Sequence, residues 1–431
     1  MRNSLEVVKL GHGRISIWRW EMFAAIKLSH WRQFNKISID LNRRMTVLTG
    51  ENSTGKTTIL NILSKHFGWN IKLVSTPLPI SKRLAKRIWT DVWDTRVSDF
   101  DVKPEDIEIG TIKYKSKAIC RLMVPPHSDV AQYNLKYTGQ ETVYGLHIPP
   151  YQPAWTYYQV PDIPTNPKTS QQQYQEYQSL LVQQYQATPA QSPGLILKKS
   201  LISLAAFGYG SKVMDENPEY IRIFEGFQKV LRILLPKVLG FIKLEIKMPD
   251  ILFITETGNF PLDAASGGIG AIVGLAWQIF MYGQDKKRFV VTIDEPETHL
   301  HPSMQRELLP NLFRAFPNTQ FIIATHSPFI ATSLPKARVY ALLANEDHSV
   351  DSLHLKTIEL SGTANETLRE ILGVPISVPI WVEEKLNQIL VKYKNRDLTL
   401  DLLQEFKKEL SESNLDFLVP DVVKSLEHKD A

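Results

Sequence analysis

The feature that most constrains this chain is a strand-like run that ends in glycine and passes, through a short polar turn, into a helix-like run. Residues 45–63 read MTVLTGENSTGKTTILNIL. Val47 and Leu48 close an apolar stretch of strand character, and Ile59, Leu60, Ile62, Leu63 and, beyond them, Phe67 recur at helical spacing. Between them Gly50, Gly55, Lys56 and Thr57 satisfy G-x-x-x-x-G-K-[ST] without departure. Glycines permit a turn in which successive backbone N–H groups point at one spot. The start of the following helix adds positive potential there. The residue types suit a triphosphate: Gly50, Glu51, Asn52, Ser53, Thr54, Gly55, Lys56, Thr57 and Thr58 as its cradle, Lys56 on the terminal phosphates, and the Thr57 hydroxyl on a magnesium ion. ATP and Mg2+ are therefore the expected cofactors.

Three further strings belong to the same chemistry. In VVTIDEPETHLHP, residues 290–302, an apolar strand ends in Asp294 and Glu295. Two adjacent carboxylates at a strand end repel each other unless a cation is present, so Asp294 is expected in the magnesium shell and Glu295 as the base that polarises an attacking water. In IIATHSP His326 follows another buried-strand run, where an imidazole can meet a γ-phosphate or that water. In LDAASGGIGAIVGLAWQI, Ser266, Gly267 and Gly268 open an apolar helix, and its N-terminus offers a second set of donors to an anion. Since the chain already has one phosphate turn, this second set is expected to act in trans, on the nucleotide of a partner subunit. Glu297, His299 and His301 alternate in a manner that suggests a metal, but a turn would scatter their side chains. A loop at a dimer contact is expected instead.

The strings are set in an α/β frame. Alternation over residues 24–48 and the buried-strand runs RFVVTID and QFIIAT, separated by the helical stretch PSMQRELLPNLFRAF, predict a mostly parallel sheet covered by helices on both faces. The expected organisation is an extension at 1–21, a first part of the head at 22–74, an inserted helical or irregular subdomain at 75–215, a second part of the head at 216–345 and a helical region at 346–431. The insertion holds the proline-rich, aromatic stretch 148–167 and the glutamine-rich stretch 171–186, which reads as an exposed or partner-facing helix. An apolar face over Trp381–Tyr393 is a candidate docking surface.

Bulk properties exclude other classes. The 50 Lys and Arg against 45 Asp and Glu give a formal charge of +5, without the blocks of basic residues that mark a nucleic-acid tail. One cysteine, Cys120, allows neither an internal disulfide nor a thiolate metal site, and no apolar run has the length of a signal peptide or membrane span. A cytoplasmic location without a membrane partner is expected.

Taken in order, GENSTGKTT, SGG, IDEPETHLHP and ATHSP resemble the ABC-type ATPase head, in particular the branch shared by RecF, the SMC-like repair ATPases and the OLD family. That resemblance spans about residues 22–345. It implies Walker A at Gly50–Thr58, Walker B at Asp294 and Glu295, a signature at Ser266–Gly268 and a switch histidine at His326. It also implies a homodimer or higher homo-oligomer that sandwiches nucleotides between one chain's phosphate turn and the other's signature. Two departures accompany it. Ile269 follows the signature glycines where such families often have Glu or Gln, and the Q-loop glutamine has three candidates, Gln132, Gln152 and Gln159. No nuclease centre of the OLD type is identified after the head. By analogy the chain looks like the ATPase subunits of anti-phage systems such as Septu and PARIS, which implies a separate nuclease or toxin effector and a phage protein as trigger. The rival reading is a RecF-like repair ATPase that binds DNA.

Overall fold

The computed structural model describes residues 22–77, 106–125, 131–150, 157–164, 169–185, 192–355 and 400–412, with the short pieces 7–9, 15–17, 88–89, 127–128 and 388–389. Its main unit takes in residues 1–367 and 371–373, and the remainder forms a second unit.

The centre of the main unit is an eleven-stranded sheet. In chain order its strands are β1 (Phe23–Trp31), β2 (Phe34–Asp40), β3 (Met45–Gly50), β4 (Ile107–Tyr114), β5 (Ile119–Val124), β6 (Lys136–Thr138), β7 (Gly145–Ile148), β11 (Phe289–Asp294), β12 (Thr319–Ala324), β13 (Arg338–Ala344) and β14 (Val350–Leu355). A separate three-stranded sheet holds β8 (Phe241–Lys247), β9 (Asp250–Thr255) and β10 (Phe260–Pro261). The spatial order in the large sheet is β6-β5-β4-β1-β2-β14-β13-β3-β12-β11-β7.

That sheet is mixed. From β13 through β3, β12 and β11 to β7 every pairing is parallel. From β6 to β2 every pairing is antiparallel. The parallel half is the part that long apolar runs predict, because β3, β11 and β12 are buried along their whole length and so carry hydrophobic residues on both faces. The antiparallel half keeps one face in water. In β1 Ile26 and Leu28 are buried while Lys27 and Ser29 are exposed, the period-two pattern of a half-buried strand.

Alternate residues of the parallel strands feed two cores. Leu48, Val290, Ile322 and Leu342 pack with Ile59, Leu60 and Leu63 of α1 (Lys56–Ser64). Val47, Val291, Ile323 and Ala341 pack on the other face with the helical layer. That layer comprises α2 (Ser170–Tyr185), α3 (Pro193–Gly208), α4 (Pro218–Leu234), α5 (Gly267–Gly283) and α6 (Pro302–Ala315). α4 begins where it does because Asn217 accepts from the Glu219 and Tyr220 amides and Pro218 occupies the first turn, where its missing N–H costs nothing. α5 is apolar on all sides, as a helix enclosed by neighbours must be: Ile272, Val273, Ala276, Trp277 and Ile279 are all buried. The Trp277 ring meets Phe227 of α4 edge-on at 5.0 Å.

Residues 75–215, expected as an insertion, supply β4, β5, β6 and β7 to the large sheet itself. The glutamine-rich stretch is helical, but α2 turns one face inward. Tyr177, Gln173 and Leu181 are buried, and Gln178 donates to Gln278 of α5 at 2.6 Å, so only the face bearing Gln171, Gln172 and Gln175 meets solvent. The region expected to be helical from 346 opens with a strand, β14, before the described part of the unit ends at Leu355. In the second unit α8 (Leu400–Glu412) buries Phe406 and Leu410, one turn apart. Of the stretch Trp381–Tyr393 only 388–389 is described, and most of the 1–21 extension also lies outside the described residues, apart from an antiparallel pair at 7–9 and 15–17.

Candidate functional site at the parallel strand ends

The C-terminal ends of β3, β12 and β11 lie side by side, with Leu48 opposite Ala324 and Ala324 opposite Asp294. The turn from Glu51 to Gly55 leaves the first of these ends. Gly50 has φ 139 and its missing Cβ would stand 2.4 Å from the Leu342 carbonyl oxygen on the neighbouring strand. Gly55, at φ 93, would place a Cβ 2.4 Å from the Phe34 ring. Both positions thus demand glycine for space as well as for backbone angle. Gly55 is also the N-cap of α1 and no side chain caps that helix, which leaves the first-turn amides free for an anion. Ser53, at φ 66, and Thr54, whose hydroxyl donates to Glu51 O at 2.9 Å, complete the turn.

Lys56 curls back into the turn, with Nζ donating to Gly50 O at 2.8 Å and to Glu51 O at 2.7 Å. It is only 5% exposed, and burial lowers its pKa to about 8, opposed by the negative charge of Asp294, Glu295, Glu297 and Glu51. Asp294 is the complementary group. Burial raises its pKa to about 6, the Thr57 hydroxyl lies close enough to oppose the rise, and Glu295 adds to it. Both Asp294 carboxylate oxygens are sealed from water and neither meets hydrogen-bond geometry. A buried acceptor pair without donors, next to a threonine hydroxyl, fits a small hard cation with oxygen ligands.

Glu295 sits at φ 46 and donates its amide to Ala324 O at 2.9 Å. Its Oε1 lies 3.2 Å from Nε2 of His326, and both side chains are partly open to solvent. These two groups can hold a water molecule and accept its proton. Glu297, two residues on, does something that the sequence did not disclose. Its Oε1 accepts from Thr325 Oγ1 at 2.8 Å, His326 N at 2.7 Å and Ser327 N at 3.2 Å. The Glu297-x-His299-x-His301 alternation makes no metal cluster among the described residues. His299 takes φ 68, and His301 caps α6 by accepting from Ser303 N.

Ser266, Gly267 and Gly268 form the start of α5. Ser266 and Gly267 are exposed, and the N-terminus of α5 carries no side-chain cap. The neighbour that a Cβ on Gly268 would meet first is His299 O, at 2.9 Å, so the turn rests on the loop that follows Glu295. Of the three glutamine candidates, Gln132 lies in a short strand pair with 73–74 and Gln159 is exposed in a loop. Gln152 falls outside the described residues, four positions after β7. The end of β7, at Ile148 and Pro149, lines a small cavity with Asp294 and Glu295.

With this geometry in place, comparison with known proteins is informative. Residues 25–71 match the family described as "AAA domain", and residues 241–332 the family described as "AAA domain, putative AbiEii toxin, Type IV TA system". Each part of the expected head thus contains a stretch that is similar to an AAA domain. The chain is similar over 118 residues, at 30% identity, to "Retron Ec83 probable ATPase" of Escherichia coli, a match covering 27% of this chain and 18% of that protein. It is similar over 103 residues, at 37% identity, to "Septu protein PtuA" of Bacillus mycoides (strain KBAB4), covering 23% of this chain and 14% of that one. The chain thus spans a small part of the length of these relatives. Among solved structures, the Smc head domain from Pyrococcus furiosus aligns with 78% of this chain and 96% of its own, at 14% identity and a TM-score of 0.41. Among the described residues no helix is long and apolar enough to cross a membrane.

Proposed function

We propose that this chain binds ATP with Mg2+ at Gly50–Thr58 and hydrolyses it between two copies of itself. In this reading Thr57 and Asp294 hold the metal, Glu295 and His326 handle the attacking water, and Ser266, Gly267 and Gly268 of a second copy close on the γ-phosphate. The observation that carries it is Asp294, a buried carboxylate at the end of β11 whose two oxygens meet no hydrogen-bond geometry and which lies close to the Lys56 and Thr57 side chains. Magnesium supplies charge neutralisation on the phosphates when bound; the residues named here position it and orient the water. The uncapped start of α5, exposed at Ser266 and Gly267, supports the trans arrangement, because a second copy could reach it there.

The biological role follows from the relatives and is part of the same proposal. The similarity to retron and Septu proteins supports a sensor and scaffold subunit in defence against phage, one that controls a separate nuclease or toxin. The decisive experiment has two readouts. Lys56→Ala is expected to abolish binding of a fluorescent ATP analogue, and Glu295→Gln to retain it while turnover falls at least about a hundredfold. Unchanged binding in Lys56→Ala would remove the phosphate-turn assignment. For the defence role, native copurification from the source cell should bring down a nuclease or toxin subunit.

A DNA-binding repair ATPase is the second reading. It has in its favour the exposed Lys27, Lys36 and Lys113 on the antiparallel half of the sheet. Turnover stimulated by DNA, with a steep loss on adding salt, would move that reading ahead.

A further inference from the structure

We propose that Glu297 is a positioning residue that holds His326 against Glu295. The inference rests on the reading of the site as one that hydrolyses ATP, and it assigns a role to a side chain that the proposed phosphate and metal contacts do not use.

The reason lies in the backbone beyond β12. That strand ends at Ala324, and α7 (Pro328–Ala331) begins after a cap at Ser327. The amides of His326 and Ser327 therefore have no strand partner and are not yet in a helix. Buried or half-buried N–H groups in such a turn need acceptors, and a single oxygen of Glu297 serves both, at 2.7 and 3.2 Å, together with the Thr325 hydroxyl at 2.8 Å. Fixing the His326 backbone in this way fixes the origin from which its ring reaches Glu295 Oε1 at 3.2 Å.

The other end of the strut is equally constrained. Glu297 belongs to the turn that starts at Glu295, where Thr298 Oγ1 donates to Glu295 O at 3.0 Å and Leu300 N to Glu297 O at 2.8 Å. A second link runs parallel to the first: Gln305 Nε2 donates to Leu300 O at 2.8 Å, and its Oε1 accepts from Ser327 Oγ at 2.6 Å. One turn thus carries both Glu295 and the carboxylate that fixes the histidine facing it. Glutamine at 297 keeps an acceptor oxygen at the same reach, and alanine removes it.

The test uses steady-state ATPase kinetics on the full chain. Glu297→Ala should lower kcat about ten- to a hundredfold with KM and ATP-analogue affinity within about twofold of wild type, and Glu297→Gln should stay within about threefold of wild-type kcat. In a His326→Ala background, Glu297→Ala should add less than about a further twofold, since a residue that acts through His326 has nothing left to position. A carboxylate that only braces the fold would instead cost the same in both backgrounds. Equal losses in both backgrounds, a Gln variant as impaired as the Ala variant, or wild-type kcat in Glu297→Ala would each overturn the proposal. If Glu297→Ala does not fold, Thr325→Val, which removes one of the three donors, should lower kcat in the wild-type background and leave it unchanged in the His326→Ala background. Absence of ATP turnover in the wild-type chain itself would strike the proposed function instead, and that outcome is separable from any of these.

Discussion

Asp294 occupies a place where ionising it costs free energy. Its carboxyl is raised from 3.8 to about 6, burial being the main cause. A carboxyl with a raised folded-state pKa contributes stability that is complete below its unfolded value and is lost as pH rises through the folded one, here across pH 4 to 6. Two units correspond to about 3 kcal/mol at most. In metal-free protein Asp294→Asn should therefore raise the melting temperature at pH 8 and change it little at pH 4. Added Mg2+ should stabilise the wild type and leave the variant unaffected, which calorimetry with and without chelator would check. At this scale much of the candidate site was legible, because Gly50–Thr58, Asp294–Glu295 and His326 each sit in a short string of suggestive residue types, and the fold brings the ends of their strands side by side. Glu297 was not, because its partners are 28–30 residues away along the chain and no local pattern marks a carboxylate that will receive distant amides.

Between strand and helix, the phosphate turn depends on contacts that its own sequence does not reveal. Gly55 is hemmed in by Phe34 and Gln33, which precede it by some twenty positions and belong to the β1–β2 hairpin region. Gly55→Ala should cost more than the usual glycine penalty of about 1 kcal/mol, both because φ is 93 and because the Phe34 ring cannot give way inside a packed core. The expected outcome is loss of ATP binding with a lowered urea midpoint, and a variant with normal affinity would refute the steric argument. Long, continuously apolar strands such as β11 and β12 announced themselves, and so did the apolar helix α5 that Ser266 opens and the helical stretch of α6 between those strands. β7 did not: four residues, Gly145–Ile148, bracketed by prolines and aromatic residues, carry too little pattern to be read as a parallel edge strand. β14 was hidden for a related reason, since its burial alternates irregularly and one of its two partners, β2, lies near the other end of the chain.

On the scale of the whole molecule, the proposed sandwich makes Ser266 a surface residue of one chain and a ligand of another chain's nucleotide. Ser266 is exposed and its side chain caps nothing, so Ser266→Arg should leave the melting temperature within about 1 °C, a surface change of a few tenths of a kcal/mol. ATP-analogue binding by the single chain should persist. The doubling of mass that ATP is expected to produce in Glu295→Gln should disappear when Ser266→Arg is added, and light scattering would record it; persistence of the doubled mass would argue against the trans arrangement. The expected division of the chain into head, insertion and second head half did not anticipate that the middle segment supplies four of the eleven strands of the sheet, because sheet membership is set by non-local pairing and sequence reports local order.

The position of β3 in the sheet has a temporal consequence. The strand that carries the phosphate turn is made early, yet both of its neighbours, β12 and β13, come from residues 319–324 and 338–344. The early hairpin β1–β2 joins that half of the sheet only through β14, at 350–355. During synthesis β3 therefore lacks both of its flanking strands until the ribosome has passed β13. The proposed nucleotide site is therefore completed late in synthesis, after most of the chain has been made.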